Sequence, residues 1–524
     1  MPKNFLVGIG GSGARVAEAA LFLCSAGFGP DKFSLFLIDP DKGNGNLGRT
    51  TGLISKYLEC RKLFVPVDDK VRLFRTEIEV PENEKDRVWG IFTKTDTTLS
   101  EWLGYEGLKE TNRPEYDLMS ILFSKDELST KLNEGFRGHP AIGSVVMSEI
   151  PEKELPFKML WNAFDGCNAF DLRLFLVGSV FGGTGAAGFP TLGHRNTIKF
   201  SKDAVINEKE SKSKILLGGA LILPYFRVVK SGDVPGMYVT SNDFPIATKA
   251  AMEFYDTKES LGIDQIYFIG DSMSHDVGEF SYGSTSQENK PHYIEIVSTL
   301  ASFDFFNQAP IEKNSQMYFI SKREDERVDW KSFPVSRNEV DILHLQDEFK
   351  AINTTMTIFC YVLATYGKSI LDPENDSKNN MEFKQPWYEH FSNKKNDELV
   401  NLRTAKNKEM LKVFVDYAED YLNWLTAISS YPNVDLIDNK KLMDTNGNWN
   451  DPVNRSFIGE ILKETSSKKS WADKDGFLQS LNAEDINKHI KENTKTMLAA
   501  NKFLNLFYEG SKRFAKNNFS VTIK

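Results

Sequence analysis

The sequence predicts an α/β protein: a Rossmann-type parallel-sheet domain over residues 1–310 that ends in a central helix, then a C-terminal α+β domain, rich in helices, over 311–524. Three observations predict it. Apolar, strand-like runs alternate with helix-like segments through the first three hundred residues, the pattern of a doubly wound sheet. Glycine-rich loops follow the strands, at the carboxyl ends where such sheets bind ligands. Beyond about residue 310 the alternation gives way to long helical stretches.

The elements follow in order. Asn4–Ile9 reads as a buried strand and Ala14–Ala26 as a helix, with apolar residues at helical spacing. Phe33–Ile38, Asp171–Val180, Lys214–Leu223 and Gln265–Ile269 read as further strands. Pro245–Tyr255 and Pro291–Phe306 read as helices. The polar stretches Ser201–Ser213 and Gly270–Lys290 read as surface loops. Past 310, Gln316–Ile320 reads as a strand and Thr354–Tyr366 as an apolar helix or strand. Leu371–Lys384 reads as a loop, Asn396–Ser429 and Ala483–Lys516 as long helices, and Phe519–Ile523 as strand-like. No internal repeat is evident.

Composition narrows the function classes. The chain has 524 residues, 40% hydrophobic and 26% charged, within the range of soluble globular proteins. That length fits two to four domains of roughly 150 residues each. The net charge of −9 argues against a general nucleic-acid binder, which needs a basic surface. Cys24, Cys60, Cys167 and Cys360 are far apart and lack metal or redox spacing, which points to a reducing, cytoplasmic setting. No signal peptide is read at the N-terminus, and no apolar run is long enough to span a bilayer, so membrane insertion is not expected. The seven histidines are too scattered for a zinc site. The G-x-S-x-G elbow of a serine hydrolase is missing.

Four loops carry the chemistry. Gly8-Ile9-Gly10-Gly11-Ser12-Gly13 satisfies G-x-G-x-x-G between a strand and a helix, where Gly10, Gly11, Ser12 and Gly13 can offer backbone N–H groups to a phosphate. Asp39, Asp41 and Asn44 lie in the turn after the second strand. An acid there can meet a ribose hydroxyl or organise a hydrated Mg²⁺, although Asp-Pro-Asp and Asn-Gly-Asn are also turn formers. Gly135–Gly143 contains Arg137, Gly138 and His139. Arg137 can meet a phosphate oxygen, while His139 serves equally as a backbone hydrogen-bonding group. The fourth loop, in LFLVGSVFGGTGAAGFP, breaks an apolar run into Gly182, Gly183, Thr184 and Gly185 ahead of a helix. Such a cluster lets backbone approach a phosphate at a helix N-terminus, or simply makes a tight turn.

Taken in this order, the loops resemble those of the tubulin/FtsZ superfamily of GTPases. GIGGSG is similar to the first phosphate loop, Asp39–Asn46 to the second, GFRGHPAIG to the γ-phosphate-sensing loop of bacterial members, and FGGTGAAG to the glycine-rich signature. Ala187 stands where the family usually has glycine, and Phe181 where it has a small residue. The resemblance covers residues 3 to 310. It implies GTP or GDP as cofactor, with Mg²⁺ beside the phosphates, and head-to-tail self-assembly. It further implies protein partners from the same operon in a prokaryotic defence system. It also implies that Leu223-Pro224-Tyr225-Phe226 contacts ribose. On the central helix, His292, Glu295 and Thr299 share one face, and Glu295 would accept from guanine N1 and N2. The family's catalytic loop, Asn-x-Asp with a further acid three positions on, is not matched: Asp304, Glu312 and Glu324–Glu326 are wrongly spaced. Catalytic residues and hydrolysis itself stay unassigned. Two other readings remain open. One is an adenylating or dinucleotide-binding Rossmann enzyme in which Arg49 meets ATP phosphates. The other is a non-hydrolysing, nucleotide-gated scaffold.

Overall fold

The computed structural model describes residues 3–90, 97–132, 136, 139–148, 154–165, 172–193, 216–229, 244–256, 263–272, 276–279, 288–307, 316–323, 325–335, 342–371, 385–391, 397–442, 461–462, 476–519 and 523. The chain runs β1 (Lys3–Ile9), α1 (Gly10–Ala26), β2 (Lys32–Ile38), α2 (Gly45–Leu63), β3 (Glu77–Glu79) and β4 (Val88–Trp89). After short helices between Leu99 and Leu128 come α3 (Pro140–Met147), α4 (Phe157–Asp165) and β5 (Leu172–Ser179). The helix α5 occupies residues 183–193. Then follow β6 (Leu216–Ile222), β7 (Arg227–Val229), α6 (Phe244–Asp256), β8 (Gln265–Ile269), β9 (Asp276–Glu279), α7 (Tyr293–Asn307) and β10 (Gln316–Ile320).

The eight-stranded sheet has the order β10-β8-β6-β5-β1-β2-β3, with β4 pairing β2 beyond β3. Every pairing in it is parallel. Alternate side chains of the strands feed two cores. Leu6, Leu35, Phe175 and Val177 enter one apolar cluster, while Val7, Phe36, Leu174 and Leu176 enter the other. Burial on both faces explains why these strands read as unbroken apolar runs. Gly218 and Gly219 of β6 serve the two faces in turn. A Cβ at Gly218 would lie 2.6 Å from Phe305, and one at Gly219 would lie 2.5 Å from Phe189, so the missing side chains let an aromatic ring close on each side.

The central helix α7 is buried around nearly its whole circumference. Its Thr299 hydroxyl donates to the Val16 carbonyl of α1 at 3.0 Å. Its Phe305 ring packs 5.4 Å from Phe175 of the sheet.

The sheet continues past the expected boundary near 310, because β10 pairs with β8 in parallel register. Beyond it the described residues are helical: α8 (Ile342–Val362), α9 (Ala405–Ile428), α10 (Glu484–Asn493) and α11 (Ala499–Phe519), with shorter helices between. An isolated bridge there pairs Val328 with Val434. The stretch read as one helix over 483–516 is two, α10 and α11, parted around Thr494. Phe519 ends α11, and the rest of the strand-like reading lies outside the described residues apart from Ile523.

These helices share the first core. Phe22 of α1 packs against Tyr417, Tyr421 and Trp424 of α9, at 5.8, 5.7 and 4.8 Å between ring centroids. Among the described residues, no helix is long and apolar enough to cross a membrane, and no cluster of three or more His, Cys, Asp or Glu could hold a metal ion. Cys24, Cys60 and Cys360 are free and buried.

Candidate functional site

The chain order reverses between β1 and β5: β2 and β3 lie to one side of this pair, and β6, β8 and β10 to the other. The crevice outside the carboxyl ends of such a strand pair is the switch point of an open α/β sheet. The first and fourth glycine loops leave from these two strands and meet there. A Cβ on Gly10, whose φ is +72°, would stand 3.4 Å from both the Thr184 Cβ and the Gly185 nitrogen.

Neither loop is a free connection. Gly10–Gly13 form the first turn of α1, four residues earlier than periodicity predicts, and Gly183–Gly185 form the first turn of α5. α1 begins without a side-chain cap and without an acid in its first turn. Two helix N-termini, each with orphan N–H groups and a partial positive charge, therefore converge on one point. Tight packing holds them. A Cβ at Gly13 would fall 2.6 Å from Gly8 and 2.8 Å from the Val177 carbonyl, and one at Gly185 would fall 2.6 Å from the Ser179 nitrogen. Gly11 and Ser12 stay half-buried, as do Gly182 and Gly183, while Thr184 is 9% exposed.

The second loop closes a third side. A Cβ at Gly11 would be 3.1 Å from Asn46 Nδ2 and 3.5 Å from Asn44 Nδ2. The loop is a chain of side-chain turns: the Asp41 N–H donates to Asp39 Oδ1 at 3.0 Å and the Gly43 N–H to Asp41 Oδ1 at 3.0 Å. Asn44 caps α2 by accepting from the Asn46 N–H at 2.9 Å. Asp39 and Asp41 are both buried. Burial pushes the Asp39 carboxyl up to about 8; the hydrogen bond from the Asp41 N–H opposes this, and the neighbouring Asp41 charge adds to it.

Gly138 lies outside the described residues. His139 precedes α3, and its Nδ1 is 3.0 Å from Glu127 Oε1, which ties this loop to the Lys125–Leu128 helix. The loop reaches the fourth one through its helix, since a Cβ at Gly143 would meet the Ala187 Cβ at 2.5 Å.

Glu295 has partners the sequence does not announce. It is fully buried, and its Oε1 accepts from Arg15 Nε at 2.5 Å. Its Oε2 accepts from the His292 N–H at 3.0 Å, at the start of its own helix. Arg15 also donates to the Tyr225 hydroxyl at 2.6 Å and to Asn289 Oδ1 at 3.4 Å. Burial works against the Arg15 charge, but Tyr225 and Glu295 more than offset it, so its pKa is raised. Glu295 is thus part of a buried ion network and not an open acceptor. The Tyr225 ring lies 4.7 Å from His292 and 4.9 Å from Phe226, and Phe181 of the fourth loop lies 5.3 Å from Phe226. The Leu223–Phe226 segment and the start of α7 therefore adjoin the glycine loops. Asn289 connects this network to the second loop, donating its N–H to Asn46 Oδ1 at 2.9 Å.

Arg49 is held away from the glycine loops by Glu18, at 2.7 and 2.9 Å, and by the Asn289 carbonyl at 3.2 Å. Of the acids after the central helix, Asp304 accepts from the Tyr267 hydroxyl at 3.1 Å, Asp325 and Glu326 are exposed, and Glu312 and Glu324 lie outside the described residues. Arg15 and Asn289 are the site residues that sequence reasoning missed. One signal was present: Arg15 and Glu18 stand in an otherwise apolar helix, where unpaired charges are costly.

No protein-family model matches the chain, and no curated protein matches it.

Proposed function

We propose that this chain binds a nucleotide in the crevice between β1 and β5, as a tubulin/FtsZ-like GTP-binding protein that assembles head to tail. The single observation that carries the binding is the approach of Gly10 to Thr184 and Gly185. It brings two helix N-termini to one switch point, an arrangement that favours a phosphate group. The Asp39–Asn46 turn reaches Gly11 through Asn44 and Asn46, which supports a Mg²⁺ ion or a ribose meeting this turn. Guanine as the base and assembly as the outcome rest on the order of the loops. In this reading the protein works in the cytoplasm, its first partner is a second copy of itself, and hydrolysis stays unassigned.

Arg49 argues against the adenylating alternative, because its guanidinium is engaged by both carboxylate oxygens of Glu18. The test is to purify the chain, denature it and identify the released nucleotide, then add GTP and follow light scattering. Released guanine nucleotide and GTP-dependent growth support the proposal. Released adenine or nicotinamide overturns the choice of base, and bound GTP without growth moves the reading to the non-hydrolysing scaffold.

A further inference from the structure

A cavity of about 530 Å³ lies between α1, α2, α9 and the segment Glu288–Pro291. Its size is that of a small-molecule site. Gly48 and Gly52, one turn apart on α2, open onto it, and a Cβ at either position would meet nothing within 4 Å. Glycine inside a helix weakens it. Among the described residues, nothing makes use of the space that the two glycines leave. The floor is apolar, with the Phe22 and Trp424 rings 4.8 Å apart and Leu53 beside them. The rim carries both signs. Arg49 lies between Glu18 and Glu288, and Lys56 pairs with Asp420. Lys290 is exposed and has no ion pair among the described residues.

We infer that this cavity is a second ligand site, for a zwitterion with a flat apolar body, of the class of a free aromatic amino acid. The aromatic floor takes the body, Lys290 takes a carboxylate, and Glu288 and Asp420 take an ammonium group. Three acids on the lining disfavour a polyphosphate, which sets this site apart from the crevice. Asn289 lines the cavity and also bonds Asn46 of the second loop, so an occupant would sit next to that loop. The inference stands whether or not the crevice takes a nucleotide.

Three probes with a common phenyl body test it by calorimetric titration of the full chain: L-phenylalanine, 3-phenylpropionate and phenethylamine. L-Phenylalanine should bind, and the two singly charged probes at least tenfold more weakly. Gly52→Leu, which fills the cavity, should abolish binding while the helical circular dichroism and the melting temperature are kept or raised. No binding of L-phenylalanine at millimolar concentration, equal binding of all three probes, or binding that survives Gly52→Leu would each overturn the assignment.

Discussion

Arg15 and Glu295 meet at 2.5 Å across the interface of α1 and α7, 280 residues apart in sequence and both shielded from solvent. The pair joins the helix that opens the first glycine loop to the central helix. Removing one partner leaves the other charge buried and uncompensated, at a cost of about 3–5 kcal/mol. Arg15→Met and Glu295→Leu should each lower the urea midpoint strongly. The double variant should recover much of the loss, because it buries no charge. Additive losses in the double variant would contradict this pairing.

Asp39 makes stability depend on pH. Its carboxyl titrates at about 8 when folded and near 4 when unfolded. A raised folded pKa means that this stabilising contribution is complete below about pH 4 and is lost as pH rises towards 8. Within that window the group alone lowers stability by about 1.4 kcal/mol per pH unit. Asp39→Asn removes the dependence and keeps the oxygen that accepts from Asp41. Urea unfolding at pH 5, 6.5 and 8 should show the variant gaining on the natural chain as pH rises. A difference that stays constant with pH would count against a buried, proton-binding Asp39.

The glycines divide into two kinds with opposite expected outcomes. Gly13→Ala places a Cβ 2.6 Å from Gly8, backbone against backbone, and should cost about 1–3 kcal/mol through overpacking. Gly48→Ala meets nothing and should stabilise the helix by up to about 1 kcal/mol. Thermal melting of the two variants should move in opposite directions.

The C-terminal helix is tied to the first half of the chain by two asparagines. Asn501 accepts from the Val65 N–H at 2.9 Å and donates to the Leu63 carbonyl at 3.0 Å. Asn505 does the same for the Val67 N–H and the Val65 carbonyl, at 2.8 and 2.9 Å. Asn505→Leu should cost about 1–3 kcal/mol by leaving a buried N–H without its acceptor. Removal of residues 499–524 should unfold the sheet together with the helices, seen as loss of a single cooperative transition. Survival of a folded 1–498 fragment would contradict a shared core.

The sheet was largely legible in the sequence because its strands are buried on both faces, and β1, β2, β5, β6 and β8 all stand where apolar runs predict them. The strands β3 and β4, of three and two residues, are too short to produce a pattern. The strand order was hidden, since it places β5 beside β1 across more than 160 residues of chain. Loop composition pointed to Gly10 and Thr184, yet their meeting depends on that order. Only the charge in an otherwise apolar helix hinted at the Arg15–Glu295–Tyr225 network, whose partners lie 280 and 210 residues from Arg15.

The measurement that bears most directly on the central claim is a calorimetric titration of GTP into the natural chain and into Thr184→Arg. The arginine would project into the crevice beside Gly10, block it and disturb the loop. A phosphate cradle at this crevice requires single-site binding by the natural chain and none by a folded Thr184→Arg. Equal binding by both, or no nucleotide binding by the natural chain, would contradict it.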